Sequence, residues 1–387
     1  MAKTVAVLTG GGHAAGLNAG IAGVIQRAKE KGWKIYGALD GWQGVVENKY
    51  VDLTDCDPMS IVNKGGSILG SSRVRPEPQQ VVDSMKKNRI DALVALGGED
   101  TLGALWSVYR EFKSPVVGWP KTMDNDLSET YFTIGYPTAV TVASCAVAKS
   151  FDTACTHGRV VIAVLFGRHT DWVAAGAGAF GSADFVVPAE KSCSLDDICG
   201  KIEEIFSERE KTFGKGFAVI VVAEGASISG LESHVRQQEK ELDQYGHVKL
   251  DSNLLASYLS SAIKQSTKKI FGKPIGTAPI VFTYELRNGH PVWVDMEFGY
   301  KLGIKCVDMI EEGEIGKVAV IQKEGEELKI GSSSLEKAVK VRKMEGTGFF
   351  DYDSLKPTQA FIDYGKPFLG KPKERQINMV DRTHLIS

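Results

Sequence analysis

Short apolar runs alternate with polar and helical stretches along most of the chain. Several runs lead into a glycine-rich turn and then into apolar residues at helical spacing, as at 17–29. Strands that alternate with helices predict parallel sheets covered on both faces, so the fold class is α/β. The predicted strands are 4–8, 34–39, 92–96, 115–119, 159–165 and 217–223.

The composition is that of a globular protein and excludes several functions. Of 387 residues, 43% are hydrophobic and 24% charged, and the net charge of −2 argues against nucleic-acid binding. No run of apolar residues is long enough to cross a membrane, and the first residues lack signal-peptide features, so we expect a cytoplasmic protein. Six cysteines without a CxxC pair indicate reduced thiols.

Glycine and charged residues occur together where the predicted strands end. The segments read GGGH, GGED, PKTMDND, FGR and AEG. Because ligands of such sheets bind beyond the carboxyl ends of the strands, these segments are candidate site loops. A polar stretch at 231–245 predicts a solvated helix or insertion, and the tail after about residue 323 reads as a looser, appended segment.

Two glycine loops suit a phosphate group. Residues 10–12 lie between a strand and a helix, where backbone N–H groups face an anion, and residues 65–73 end in Arg73, whose guanidinium can bind phosphate. The first loop has neither the Walker A motif nor the dinucleotide-binding motif. Taken singly, each loop could also be an ordinary tight turn.

Two further loops carry carboxylates. Glu99 and Asp100 could hold Mg²⁺ or simply begin a helix, and both readings can be true together. In the loop at 120–126, one aspartate could accept a hydroxyl proton while the other lies near a metal, with Lys121 stabilising a phosphoryl group. A loop rich in Asp and Asn is also common without function.

In this order and spacing the loops resemble those of the phosphofructokinase family. The matching segments, from the N-terminus to about residue 310, are GGGHAAGLN at 10–18, GGSILGSSR at 65–73, GGEDT at 97–101, PKTMDND at 120–126, TIGYPTA at 133–139, GR at 167–168, AEG at 223–225 and YELR at 284–287. The resemblance implies two similar α/β domains with the active site in the cleft. The expected boundaries are 1–138 with 288–322, then 139–287, with 323–387 as a C-terminal extension.

The resemblance also implies a role for each matching residue. Gly11, Arg73, Asp100 and Lys121 would bind the phosphoryl donor. Glu99 and Asp126 would bind Mg²⁺, and Glu99 stands where the family often has Asp. Asp124 would be the base that takes the acceptor's proton, and Lys121, Asp126 and Arg168 complete the catalytic set. The acceptor site would comprise Thr122, Asp124, Arg159, Phe166, Gly167, Arg168, Glu224, Tyr284 and Arg287. Arg159 would reach a neighbouring subunit of a homodimer or homotetramer.

Two residues indicate the donor. ATP-using members of the family typically have glycine at the positions of Asp100 and Lys121, where Asp100 would repel an α-phosphate and Lys121 would neutralise pyrophosphate. The resemblance therefore implies pyrophosphate-dependent phosphorylation of the 1-hydroxyl of fructose 6-phosphate. Alternatives are ATP as donor, sedoheptulose 7-phosphate or myo-inositol as acceptor, and a regulatory homologue that only binds phosphosugars. The chain departs from the family pattern at His13, Ala15, Phe166 and the pair Thr170–Asp171.

Overall fold

The computed structural model describes residues 3–229, 251–375 and 377. The chain forms two compact units, Met1–Ala139 with Arg287–Arg342, and Val140–Leu286 with Lys343–Ser387. The division at 139/140 and 286/287 lies within a residue of the expected boundaries. The C-terminal part differs from the expectation, because its described residues from 323 onward are divided between the two units and do not form a separate extension. The predicted helix at 231–245 lies outside the described residues.

The first unit is a mainly parallel sheet with helices. Its elements are β1 (Thr4–Thr9), α1 (Leu17–Glu30), β2 (Lys34–Ala38), α2 (Trp42–Glu47), β3 (Tyr50–Asp52), α3 (Pro78–Lys87), β4 (Ala92–Gly97), α4 (Glu99–Phe112), β5 (Val116–Thr122), β6 (Ile134–Gly135), the start of α5 (Tyr136–His157), α9 (Trp293–Glu311), β13 (Lys317–Glu324), β14 (Glu327–Ser334) and α10 (Leu335–Ala338). A short 3₁₀ helix spans Pro58–Ser60.

The strand order in this sheet is β14-β13-β5-β4-β1-β2-β3, with β6 beside β5. The central strands β1 and β4 are almost wholly buried because their side chains are apolar on both faces. The predicted loose tail instead supplies β14, which pairs in antiparallel orientation with β13, and β13 pairs in parallel with β5. Buried Leu335 and Ala338, which follow β14, join the core of the first unit, so this part of the tail belongs to that unit.

Glycines let α1 and α9 pack closely together. A side chain at Gly23 would collide with the carbonyl oxygen of Tyr300, and one at Gly303 would collide with that of Gly20. The helices can therefore approach each other only where no Cβ intervenes. This contact holds α9 against α1, although the two helices are far apart in the sequence.

The second unit contains a smaller parallel sheet in the order β12-β7-β10-β8. Its elements are the rest of α5, β7 (Arg159–Leu165), α6 (Trp172–Gly181), β8 (Phe185–Val187), β9 (Cys193–Ser194), α7 (Leu195–Phe213), β10 (Ala218–Ala223), β11 (Ile228–Ser229), α8 (Ser252–Phe271), β12 (Gly276–Phe282), β15 (Phe350–Asp351), β16 (Lys356–Pro357) and α11 (Gln359–Leu369), with a 3₁₀ helix at Tyr284–Leu286.

Helix α6 is buried along nearly its whole length, which its continuous apolar sequence requires. The C-terminal residues provide its cover. The Trp172 ring lies 6.0 Å from that of Phe349 and 5.7 Å from that of Tyr364, measured between centroids, and Phe180 contacts Phe361. Residues 343–375 are thus part of the second core. Among the described residues, no helix is both long and apolar enough to cross a membrane.

Candidate active site

In the first unit, the parallel register brings three predicted loops to one edge of the sheet. Thr9 at the end of β1 pairs with Leu96 of β4, and Gly97 pairs with Pro120 of β5. The glycine loop, the Glu99–Asp100 pair and the 121–126 loop therefore all leave the sheet at its carboxyl edge. This is the edge at which α/β sheets bind ligands.

Lys121 links the glycine loop to the end of β5. Its Nζ donates to the carbonyl oxygens of Gly10, at 3.1 Å, and Gly12, and the residue is 2% exposed. The loop bends at Gly11, whose φ of +75° lies in the left-handed region that favours glycine. The ammonium group is thus fixed beneath the loop predicted to bind phosphate.

Arg287 also lies against the glycine loop. Its Nη1 donates to the carbonyl oxygen of His13 at 3.3 Å, and a Cβ at Gly12 would lie 2.7 Å from the same nitrogen. Burial, together with the Arg287 charge, lowers the pKa of Lys121 to about 7. The Arg287 charge thus disfavours a charge on Lys121, and an anion bound at the loop would offset this repulsion. The structure places Arg287 against the glycine loop of the first unit, whereas the resemblance assigns it to the acceptor site.

The second glycine loop folds over the end of β1. Ser71 Oγ donates to the carbonyl oxygen of Gly11 at 2.6 Å, and Thr9 Oγ1 donates to that of Gly70 at 2.7 Å. Arg73 follows two residues later with an exposed side chain. The two glycine loops are therefore adjacent.

Carboxylates gather near the end of β5. Asp124 N donates to Thr122 Oγ1 at 3.1 Å, which tightens the turn into the loop. Burial raises the pKa of Asp126 well above its usual value, and the charges of Asp124 and Glu99 raise it further. Glu99 and Asp100 are exposed in the first turn of α4. Mutually repelling carboxylates of this kind favour a nearby cation.

The few carboxylates near the end of β5 suit Mg²⁺, which needs few protein ligands, better than they suit a metal whose ligands all come from the protein. Across the described parts of the chain, no three His, Cys, Asp or Glu side chains lie close enough to hold a metal ion together. Mg²⁺ usually takes one or two carboxylates and completes its shell with water and substrate phosphates. Glu99 and Asp126, whose charges repel each other, match that requirement.

In the second unit, the predicted acceptor residues follow three neighbouring strand ends. Leu165 of β7 pairs with Ala223 of β10 and with Phe282 of β12. The Phe166 and Tyr284 rings meet edge to face at 5.5 Å. Glu224 accepts a hydrogen bond from Ser252 at 2.7 Å.

The Gly167–Arg168 turn packs closely on the next strand end. Gly225 N donates to Gly167 O at 3.1 Å, and a side chain at Gly225 would collide with Arg168 O. Phe166, Gly167, Arg168, Glu224 and Tyr284 therefore form one group at the carboxyl edge of this sheet.

Arg159 lies at the start of β7, at the end of the strand opposite to Phe166. It is the first residue of β7 and pairs with Gly276, while Phe166 follows the last residue. Seven strand residues span about 20 Å. Its buried Nε has no hydrogen-bond partner. The structure thus separates Arg159 from the other acceptor residues of its own unit.

Sequence reasoning missed two residues from the C-terminal part. Arg342 hydrogen-bonds the 125–131 backbone. In the second unit, Tyr352 donates to the buried carboxyl of Asp171 at 3.0 Å, three residues after Arg168. Burial raises the pKa of Asp171 to about 6. For Asp171 the sequence did carry a signal, since an acid replaces the family's glycine there.

The sequence comparison assigns the class of protein to which these loops belong. The chain belongs to the phosphofructokinase family, whose sequence model matches residues 4–310. A pyrophosphate–fructose 6-phosphate 1-phosphotransferase of Dictyoglomus thermophilum is 35% identical over 323 residues, 82% of this chain and 89% of the relative. An ATP-dependent 6-phosphofructokinase 3 of Streptomyces coelicolor is 36% identical over 327 residues, 82% of this chain and 90% of the relative.

Solved structures agree on the fold. A pyrophosphate-dependent phosphofructokinase from Marinobacter aquaeolei superposes with a TM-score of 0.79 at 20% identity, over 100% of this chain and 98% of the other. One from Nitrosospira multiformis gives 0.80 at 20% identity, over 100% and 99%. The chain therefore has the phosphofructokinase fold. The relatives' names include both donors at similar identity and do not choose between them.

Proposed function

We propose that this enzyme transfers a phosphoryl group from pyrophosphate to the 1-hydroxyl of fructose 6-phosphate. The observation that carries the proposal is the buried ammonium of Lys121 beneath the glycine loop, with Arg287 beside it. Pyrophosphate concentrates several negative charges on two phosphorus centres. It is therefore the donor that gains most from two cations at one loop.

Asp100 supports the same donor. It follows Glu99 in the exposed first turn of α4, at the carboxyl edge of the sheet. A nucleotide must extend beyond its transferred phosphate, and a carboxylate on that path repels an α-phosphate. Pyrophosphate has no α-phosphate or ribose to accommodate.

Proton transfer and charge stabilisation divide among the residues of the first unit. Asp124 accepts the proton of the attacking hydroxyl, while Lys121, Arg287 and the N–H groups of the glycine loop stabilise charge on the phosphoryl oxygens. Mg²⁺ bound by Glu99 and Asp126 would neutralise the phosphates of the donor. In-line phosphoryl transfer then needs little beyond positioning and charge stabilisation.

The acceptor is proposed from the group in the second unit. Arg168, with Glu224 and Tyr284, offers a guanidinium, a carboxylate and a phenol for a hydroxylated, phosphorylated sugar. Arg159, remote from this group in its own chain, would serve the site of a neighbouring subunit, so the active form is at least a dimer. A neutral polyol would leave the arginines without an anion.

A donor and acceptor panel tests the proposal. Pyrophosphate and ATP are each assayed with fructose 6-phosphate, sedoheptulose 7-phosphate and myo-inositol, in the presence of Mg²⁺. We expect pyrophosphate with fructose 6-phosphate to give the highest kcat/KM, and Asp100→Gly with Lys121→Gly to shift preference toward ATP.

Each contrary result has a distinct meaning. Preference for ATP contradicts the donor, and efficient use of inositol alone contradicts the acceptor. If the protein binds phosphosugars without turnover, and the Asp124→Asn variant binds them equally well, the protein is a regulatory homologue.

A further inference from the structure

The loop that carries the proposed base contains a backbone turn that is bound from outside the loop. Asn125, between Asp124 and Asp126, is fully buried and has a φ of +53°, in the left-handed region that asparagine adopts more readily than most residues other than glycine. Its Oδ1 accepts from Thr133 N at 3.0 Å. The direction of the carboxylates on either side depends on this one residue, so whatever holds Asn125 also orients them.

Arg342 binds this turn through its whole guanidinium group. Nη2 donates to Asn125 O at 2.9 Å and to Asn125 Oδ1 at 2.8 Å, and Nε reaches the same carbonyl at 3.3 Å. Nη1 donates to Thr130 O at 2.9 Å and to Tyr131 O at 3.3 Å. The planar group thus joins the start of the loop to its far side, which a single ammonium could not do.

The backbone around Arg342 runs beside the same loop. Arg342 N donates to Asp126 O at 2.6 Å, and Ser128 N donates to Lys340 O at 3.0 Å. Leu127 and Val341 form an antiparallel bridge between the two segments. Residues 340–342 therefore hold the loop along its length, and the guanidinium holds its turn.

This contact comes from outside the residues that the family sequence model matches. The family match ends at residue 310, and Arg342 follows β14 and α10. The same segment closes the first unit, whose last residue is Arg342. A residue whose Nε, Nη1 and Nη2 each donate to one loop, next to the Asp124 and Asp126 carboxylates, is suited to positioning them.

We propose that Arg342 is a positioning residue for phosphoryl transfer, which holds Asn125 so that the Asp124 and Asp126 carboxylates keep their working directions. The inference rests on the proposed function, because Asp124 is the proposed base. Loss of the several N–H donors of the guanidinium leaves Asp124 and Asp126 in the chain but lets the turn at Asn125 relax. A displacement of about 1 Å at a reacting group lowers the rate by on the order of 10²-fold.

The substitution Arg342→Lys tests the positioning role, because lysine keeps the positive charge but lacks the planar guanidinium that contacts both sides of the loop. The matched control is Arg375→Lys, since Arg375 also donates to two backbone carbonyls, those of Ser182 at 2.7 Å and Ala183 at 2.9 Å, away from the 124–131 loop. We expect Arg342→Lys to lower kcat by about 10- to 100-fold with the KM of both substrates nearly unchanged. Arg375→Lys should leave kcat near the wild-type value.

Hydrogen exchange provides a readout that needs no turnover. Amides in peptides covering 124–131 should exchange faster in Arg342→Lys than in the wild type or in Arg375→Lys. Equal exchange in the two variants would overturn the proposal even if the wild type turned over none of the tested substrates. Failure of the proposed function would instead appear as an inactive wild type with the loop exchange changed as expected.

Two kinetic results would also overturn the proposal. One is a kcat for Arg342→Lys equal to that of Arg375→Lys, and the other is a raised KM with unchanged kcat. If Arg342→Lys does not fold, Asn125→Gly tests the contact from the other side. Glycine adopts the same φ without strain but lacks the Oδ1 that Arg342 binds, so a lowered kcat is expected and an unchanged kcat contradicts the inference.

Discussion

The donor role of Lys121 gives the most direct prediction, through the substitution Lys121→Met. Methionine has a similar length and suits a buried position, but it carries no charge and donates no hydrogen bond. In the structure the lysine Nζ donates to Gly10 O and Gly12 O beneath the glycine loop. The substitution therefore removes one cation from the proposed pyrophosphate site and leaves the rest of the sheet edge in place.

The size of the effect follows from the contact that is lost. A hydrogen bond between a charged group and its partner contributes about 1.5–3 kcal/mol. Lost in the transition state, this corresponds to about a 10- to 150-fold fall in kcat/KM for pyrophosphate. The KM for fructose 6-phosphate should change little, because Lys121 is assigned to the donor.

The assay is steady-state turnover with either substrate varied, compared with Lys29→Met. Lys29 Nζ donates to Cys56 O at 2.8 Å in the same unit and has no assigned function, so this control loses a similar lysine–carbonyl contact. A kcat/KM for pyrophosphate within about threefold of the wild type would refute the donor role of Lys121. Equal losses for both substrates would refute its assignment to the donor alone.

Three further predictions concern the base, the subunit contact and pH. Asp124→Asn should lower kcat by about 10²–10⁴-fold without loss of folding, and near-native turnover would exclude Asp124 as the base. Mixing inactive Arg159→Ala and Asp124→Asn subunits should restore some activity, whereas an active monomer at high dilution would contradict the shared site. Burial raises the pKa of Asp295 from 3.8 to about 7, although Gly135 N, Thr138 N and Thr138 Oγ1 donate to it. The folded state therefore keeps a proton that the unfolded state loses between these values, so this contribution to stability is lost as pH rises from about 4 to 7. Urea unfolding at pH 4.5 and 7.5 should show that Asp295→Asn lowers the free energy of unfolding more at the lower pH. An equal loss at both pH values, or a larger loss at pH 7.5, would refute the raised pKa of Asp295.

The strands that lead to the site could be predicted because their pattern is local. Residues 159–165 form β7 as expected, and β4 extends the predicted 92–96 by a single glycine. Continuous apolar runs bounded by glycine indicate buried parallel strands, and the carboxyl-edge rule then places the loops. Neither step needs knowledge of distant contacts.

The positions of Arg287 and Arg342 could not be predicted in the same way. Both arginines donate to backbone carbonyls, those of His13 and Asn125 among them. Every residue has a carbonyl, so no side-chain type at the partner position marks such a contact. The polar tail was misjudged for a related reason, since β14 is an edge strand whose half-exposed residues lack a continuous apolar run.

The place of Arg287 changes how the acceptor's phosphate must be bound. A phosphate dianion in a closed site requires converging positive charge. Because Arg287 contacts the glycine loop beside Lys121, we propose that its charge serves the donor. Arg168 then remains as the guanidinium of the acceptor group in the second unit, while Arg159 starts the same strand at its far end. Recognition of a phosphosugar by this enzyme should consequently depend strongly on an arginine from a second subunit, which ties acceptor affinity to assembly.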